Sequence, residues 1–275
     1  MDKIKKLRMS YKQLIAIPSI LLLISSVIFI LNFQQSGEWI LRSIELKGGT
    51  LITLPLNESD ASKIEGLGVD VRYIRSMTGT MAQLQIPSDV SRDNVMAKLA
   101  EMGIDTSSAR AETIGPVLGE AFWVQTQTAL AVALVCMAGV IYVLFRRGLP
   151  SLYVMLCAVS DIFVTLAFMQ VFSIELSLAT FAALLMLLGY SIDTDIVLTT
   201  KVLKGEGEVK DRVRSAFSTG ITMSATTIAA LLTMILLSLS PAISQIATVL
   251  LIGIFVDICF TWCQNAVLIR WWIEK

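Results

Sequence analysis

The chain has 275 residues, 22 of them basic, 22 acidic and none histidine, so its formal net charge is zero. Apolar residues make up 55% and charged residues only 16%, with a mean hydropathy of +0.73. Such a balance excludes an ordinary soluble enzyme, and the missing imidazole excludes His-based catalysis and His-ligated metal sites.

Residues 1–13 form a basic N-terminal segment, expected in the cytoplasm, and residues 14–31 an apolar run long enough to cross the bilayer. That run is too long for the core of a signal peptide, and Asn32-Phe33-Gln34-Gln35 offers no small-residue cleavage site, so it reads as a retained anchor. From 32 to 122 the character changes. Acids outnumber bases there, twelve to eight, and apolar residues alternate with polar ones.

Within this segment Ser43–Leu56 reads as a strand interrupted by Gly48-Gly49, and Ser59–Leu67 as a short helix capped by Asn57 or Ser59. Val69–Ser76 and Met81–Ile86 read as a hairpin turning at Thr78-Gly79-Thr80. Ser91–Met102 reads as a helix with Val95, Leu99 and Met102 on one face, and Ala109–Ile114 as a last strand. The order predicts an α+β, ferredoxin-like βαββαβ domain. It carries no nucleophile–base pair, metal-ligand cluster or phosphate loop, which suits a binding or mechanical element.

Five further spans follow: 123–145 (its apolar core from Gln127), 152–172, 178–200, 218–239 and 244–268, with a cytoplasmic loop at 201–217 and a cytoplasmic tail at 269–275. Eight of the 22 basic residues lie between Asn32 and Phe122; the other fourteen sit at span ends and loops that share one side if both termini are cytoplasmic. The turns Ser173–Ser177 and Ser240–Ile243 carry none. This positive-inside pattern predicts a six-span polytopic helical protein of the cell membrane, with the folded domain outside the cytoplasm. Cys136, Cys157, Cys259 and Cys263 all fall in spans and read as small apolar packing residues.

Charged side chains inside a membrane cost on the order of 3 kcal/mol on insertion scales, so each calls for a reason. Asp161 lies near the middle of the third span and Asp257 near the middle of the sixth, while Asp193 and Asp195 share the fourth. Two residues apart on a helix, Asp193 and Asp195 point roughly 200° away from each other. Asp193, one turn from Gly189 and Tyr190, is the better candidate for an internal site; Asp195, nearer Lys201, reads equally well as a snorkelling residue. In the sixth span Gly253, Asp257, Thr261, Gln264 and Asn265 share a face. In the fifth, Ser218, Thr222, Thr226, Ala229, Ala230 and Thr233 form a narrow stripe suited to helix packing. No intramembrane Lys, Arg or His partners these carboxylates. They are therefore either protonated or matched by a second subunit, and a proton relay and a structural role are both compatible with the pattern.

Three segments go beyond composition: Ser43-Ile44-Glu45-Leu46-Lys47-Gly48-Gly49-Thr50 after the first span, Ile114-Gly115-Pro116-Val117-Leu118-Gly119 before the second, and Gly189-Tyr190-Ser191-Ile192-Asp193-Thr194-Asp195 in the fourth. In these motifs, and in the six-span plan over nearly its whole length, the chain resembles the SecF family, within the resistance-nodulation-division superfamily. Bacterial members continue Gly-Tyr-Ser-Ile with Asn-Asp-Thr; Asp193-Thr194-Asp195 is similar to archaeal members. The resemblance implies a non-enzymatic accessory subunit of protein export that works with a SecD-like subunit, a SecY-type channel and the translocating polypeptide. It also implies intramembrane carboxylates through which proton flow drives the external domains. No cofactor, metal or nucleic acid enters this reading, and membrane lipid is the solvent. Two rival readings are a half-size exporter of lipids or small molecules from the same superfamily and an intramembrane aspartyl protease pairing Asp193 with Asp161 or Asp257.

Overall fold

The computed structural model describes residues 11–55, 69–76, 79–87, 90, 92–104, 106, 109–237 and 240–274. Among the described residues six helices are long and apolar enough to cross a membrane, over Leu14–Gln35, Pro116–Phe145, Gly148–Val171, Leu178–Lys204, Val209–Leu237 and Ala242–Glu274. The first lies in α1 (Tyr11–Ser36), and the next four are α4 (Pro116–Phe145), α5 (Gly148–Val171), α6 (Leu178–Lys204) and α7 (Val209–Leu237). The sixth runs through α8 (Pro241–Phe260), a π-helical turn (Thr261–Asn265) and α9 (Ala266–Glu274). Several helices outrun their apolar stretches, because hydropathy marks the hydrocarbon core whereas backbone hydrogen bonding stops at a breaker. Pro116 and Pro241 sit in the first turn of α4 and α8, where a missing N–H costs nothing. α6 starts at a capping box, Ser177 accepting from the Thr180 N–H and Thr180 accepting from the Ser177 N–H.

The bundle buries unequal shares of its helices. α5, α6 and the sixth span form its interior, with about half or more of their most apolar windows covered, against 17% for α1, 11% for α4 and 17% for α7. Gly253 lets α8 press against Leu187 of α6, and Gly220 lets α7 press against Trp262. The fifth-span stripe faces outward: Ser218, Thr222, Thr226, Ala229, Ala230 and Thr233 are exposed, and α7 turns Ala216, Gly220, Ser224 and Leu231 inward. Among the described residues the packing expected of that stripe is therefore not made. Its threonines instead return their hydroxyls to carbonyls one turn back.

Between α1 and α4 lies an antiparallel four-stranded sheet in the order β2-β3-β1-β4, formed by β1 (Gly49–Pro55), β2 (Asp70–Ser76), β3 (Gly79–Pro87) and β4 (Arg110–Ile114). Helix α3 (Arg92–Glu101) buries Val95 and Leu99 against Ile52, Leu54, Leu84 and Ile86. The helix expected over Ser59–Leu67 lies outside the described residues. Two local readings change. Ser76 pairs with Gly79, so Gly79 opens β3 rather than sitting in the turn. Ile44–Lys47 is a single helical turn, α2, rather than the start of a strand, ended by Gly48 at φ +86°.

That turn welds the sheet to the bundle. Leu46 is fully buried among Leu176, Leu184 and Leu187, and Glu45 accepts a hydrogen bond from the Leu178 N–H at the start of α6 (2.7 Å). Leu41 and Ser43 exchange backbone bonds with Leu176 in the α5–α6 turn. Arg42 and Lys47 both pair with Glu38 (3.1 and 2.9 Å). Burial pushes the Glu38 carboxyl up, but these two cations outweigh it and hold it below its ordinary value.

Candidate functional site

Three helices meet around a polar centre inside the bundle. Along α6 the inward face is set by the 3.6-residue repeat: Leu184, Leu187, Leu188, Ser191, Thr194, Asp195, Leu198, Thr199 and Val202 are all buried. This places Ser191 and Asp195 one turn apart, opposite Asp161 of α5 and Asp257 of α8. The three carboxylates are 1%, 0% and 0% exposed for Asp161, Asp195 and Asp257 respectively.

Their hydrogen bonds form two groups within one buried centre. Ser191 Oγ donates to Asp161 Oδ2 at 2.6 Å. Thr261 Oγ1 lies 3.1 Å from Asp257 Oδ1 and 3.0 Å from Asp195 Oδ1. Asn265 Nδ2 donates to Asp195 Oδ1 at 2.7 Å. One oxygen of each carboxylate, Asp161 Oδ1, Asp195 Oδ2 and Asp257 Oδ2, is buried with no protein partner. Among the described residues no ion pair reaches any of the three, and no group of three or more Cys, Asp or Glu side chains could hold a metal ion. Carboxylates without a cation, linked through hydroxyls, are equipped to hold and pass a proton.

The glycine motifs form a second constellation, at the joint between sheet and bundle. A Cβ on Gly119 would stand 2.5 Å from the Gly48 nitrogen, and one on Gly48 would stand 2.5 Å from Pro116 Cα. Gly48 and the Gly115-Pro116-x-x-Gly119 segment thus meet in one backbone-to-backbone contact, while a Cβ on Gly49 would stand 2.6 Å from the Ile86 carbonyl oxygen. A Cβ on Gly115 would meet nothing within 4 Å.

Residues 94–275 match the family model described as protein export membrane protein SecD/SecF, C-terminal. The chain is 38% identical over 267 residues to the protein-export membrane protein SecF of Methanolacinia petrolearia, covering 96% of this chain and 94% of that one. The chain belongs to the SecD/SecF family. It is also 37% identical over 283 residues to the SecF of Pyrococcus furiosus, covering 100% of this chain and 95% of the relative. Its fold is similar to a crystal structure of SecDF, described as a translocon-associated membrane protein, from Thermus thermophilus, with a TM-score of 0.73 at 21% identity. That alignment covers 96% of this chain but 38% of the SecDF chain.

Within this SecF-type chain the geometry reverses one expectation. Asp195, not Asp193, joins Asp161 and Asp257; Asp193 is exposed on the outer face of α6. The reason is helix phase. Asp195 continues the buried run Leu184, Leu188, Ser191, whereas Asp193 follows Ala182, Met186 and the half-buried Gly189 and Tyr190. In the family motif Ser191 meets the cluster directly, while a side chain at Gly189 would meet nothing within 4 Å. Gly253, Asp257, Thr261 and Asn265 do share the inward face of the sixth span, and Gln264 is only half-buried. The π-helical turn that keeps Asn265 on that face has no signature in residue periodicity.

Proposed function

We propose that this SecF-type accessory subunit of protein export couples proton movement through Asp161, Asp257 and Asp195 to motion of its sheet domain. The observation that carries the reading is the set of three buried carboxylates bonded to Ser191, Thr261 and Asn265, with no cation among the described residues. A change of charge in this set alters the packing of α6 and α8. α6 meets the sheet domain through Glu45 and Leu46, so the two ends are linked by one rigid element.

The sheet order supports a ferredoxin-like βαββαβ domain, with the segment over 56–68 supplying the first helix. Basic residues at the opposite ends of the spans support an extracytoplasmic domain and cytoplasmic termini. The outward apolar faces of α1 and α4, and the small-residue stripe of α7, fit a SecD-like partner, with a SecY-type channel supplying the polypeptide. The subunit is non-catalytic in this reading. Asp161 and Asp257 are 1% and 0% exposed, so no peptide bond reaches them as it would the carboxylate pair of a protease.

Affinity purification of the tagged chain from native membranes tests the assembly: a SecD-like subunit co-purifies, and a stable homotrimer without it would contradict the reading. Secretion assays on Asp195→Asn test the coupling. Export falls tenfold or more with the complex assembled, and wild-type export in that variant would remove the cluster from the mechanism.

A further inference from the structure

The deviation from α-helical geometry at Thr261–Asn265 falls where the sixth span bonds to Asp195. Thr261 N–H bonds back to Asp257 and Ile258, and Ala266 N–H bonds to Thr261 O, the five-residue closure of a π turn. On a continuous α-helix, residues 257, 261 and 265 would drift about 40° per step. The wider turn holds Asn265 back, so that it and Thr261 meet the same oxygen, Asp195 Oδ1, at 2.7 and 3.0 Å.

Asn265 supplies a fixed amide donor that cannot carry a proton onward. Thr261 is different: it has one hydroxyl proton and two carboxylate oxygens within reach, at 3.0 and 3.1 Å, and it is fully buried. It can donate to only one of them at a time. We propose that the Thr261 hydroxyl is the proton bridge between Asp257 and Asp195, deepening the proton-coupled reading above on which it rests.

In one state the protonated Asp257 donates from Oδ1 to Thr261 Oγ1, and Thr261 donates to ionised Asp195. Transfer breaks the Thr261 O–H bond as the Asp195 Oδ1–H bond forms, and breaks the Asp257 Oδ1–H bond as a new Thr261 O–H forms. One proton passes from Asp257 to Asp195, no electrons move, and the hydroxyl is regenerated pointing the other way. Rotation about Cβ–Oγ1 resets it. Asn265 is a positioning residue: it keeps the Asp195 oxygen turned toward Thr261.

The test uses the full chain assembled with its SecD-like partner and channel in proteoliposomes, with export driven by an imposed pH gradient. Thr261→Val keeps the shape and removes the hydroxyl; Thr261→Ser keeps the hydroxyl and removes the methyl. Thr261→Val is expected to lower gradient-driven export tenfold or more while co-purification and melting temperature stay as in wild type, and Thr261→Ser is expected to stay within threefold. If Thr261→Val disturbs assembly, Thr261→Ala serves as the hydroxyl-free variant. Infrared spectra over a pH titration give a second readout, because loss of the hydroxyl shifts the carboxylic acid C=O band that it hydrogen-bonds and serine restores it. Equal defects in the serine and valine variants, or wild-type export in valine alongside an inactive Asp195→Asn, would overturn the bridge. Wild-type export in Asp195→Asn would overturn the proton-coupled reading beneath it.

Discussion

Gly119→Ala tests the joint through which the sheet domain and the bundle are connected. The added methyl would lie 2.5 Å from the Gly48 nitrogen and 2.8 Å from the Lys47 carbonyl carbon, where ordinary contact begins at 3.4 Å, so the two backbones must part by about 0.9 Å. No rotamer relieves a clash between main chains. Leu46, two residues from Gly48 and fully buried in the bundle, moves with them. Overpacking of this kind costs about 1–3 kcal/mol, and loosened packing of Leu46 adds to it, giving roughly 2–4 kcal/mol. On the scaling for chains of this size the melting temperature falls by about 5–15 °C. Thermal unfolding of the purified protein in detergent measures it. Gly115→Ala is the internal control: it lies in the same motif with nothing within 4 Å and should cost under about 1 kcal/mol. Equal melting temperatures for the two variants would refute a backbone contact between the motifs.

Glu38→Gln removes the carboxylate shared by Arg42 and Lys47. Because Glu38 titrates below its ordinary value in the folded chain, its contribution is present above the unfolded carboxyl range and is lost as pH falls through the folded value. Wild type should therefore melt above the variant at pH 7, by no more than about 1 kcal/mol for this partly exposed pair, with the gap closing below about pH 4. Ser177→Ala breaks the capping box of α6 and should cost about 0.5–2 kcal/mol in the same unfolding assay. Leu187→Ala, which removes a fully buried side chain pressed against Gly253, should cost about 2–5 kcal/mol, and Gly253→Ala should be harmful only while Leu187 is intact.

Hydropathy and charge made the six spans legible, because crossing a bilayer requires a long apolar run with its backbone bonded internally. The strands around the hairpin were legible from alternation. Ile44–Lys47 was not: Ile44 and Leu46 alternate as in a strand, and a four-residue helix is too short to display its own period. The contact between Gly48 and Gly119 joins residues far apart in sequence, so each motif alone reads as local turn chemistry. At the candidate site, the aspartates of the third and sixth spans stood out by depth alone. Choosing between Asp193 and Asp195 required the phase of α6, and the polar line Ser191, Asp195, Thr199 was the available signal, outweighed by proximity to Gly189 and Tyr190. The four-residue spacing from Asp257 to Thr261 and Asn265 was legible, whereas the π turn over Thr261–Asn265 is announced by no spacing rule.

Proton coupling as proposed runs through the buried carboxylates Asp161, Asp195 and Asp257 and not through the exposed Asp193. Gradient-driven export in proteoliposomes with Asp161→Asn, Asp195→Asn and Asp257→Asn, set beside Asp193→Asn, tests it most directly. Export is expected to fall tenfold or more in each of the first three, with Asp193→Asn exporting as wild type. Wild-type export in the three buried variants, with the complex assembled, would contradict it.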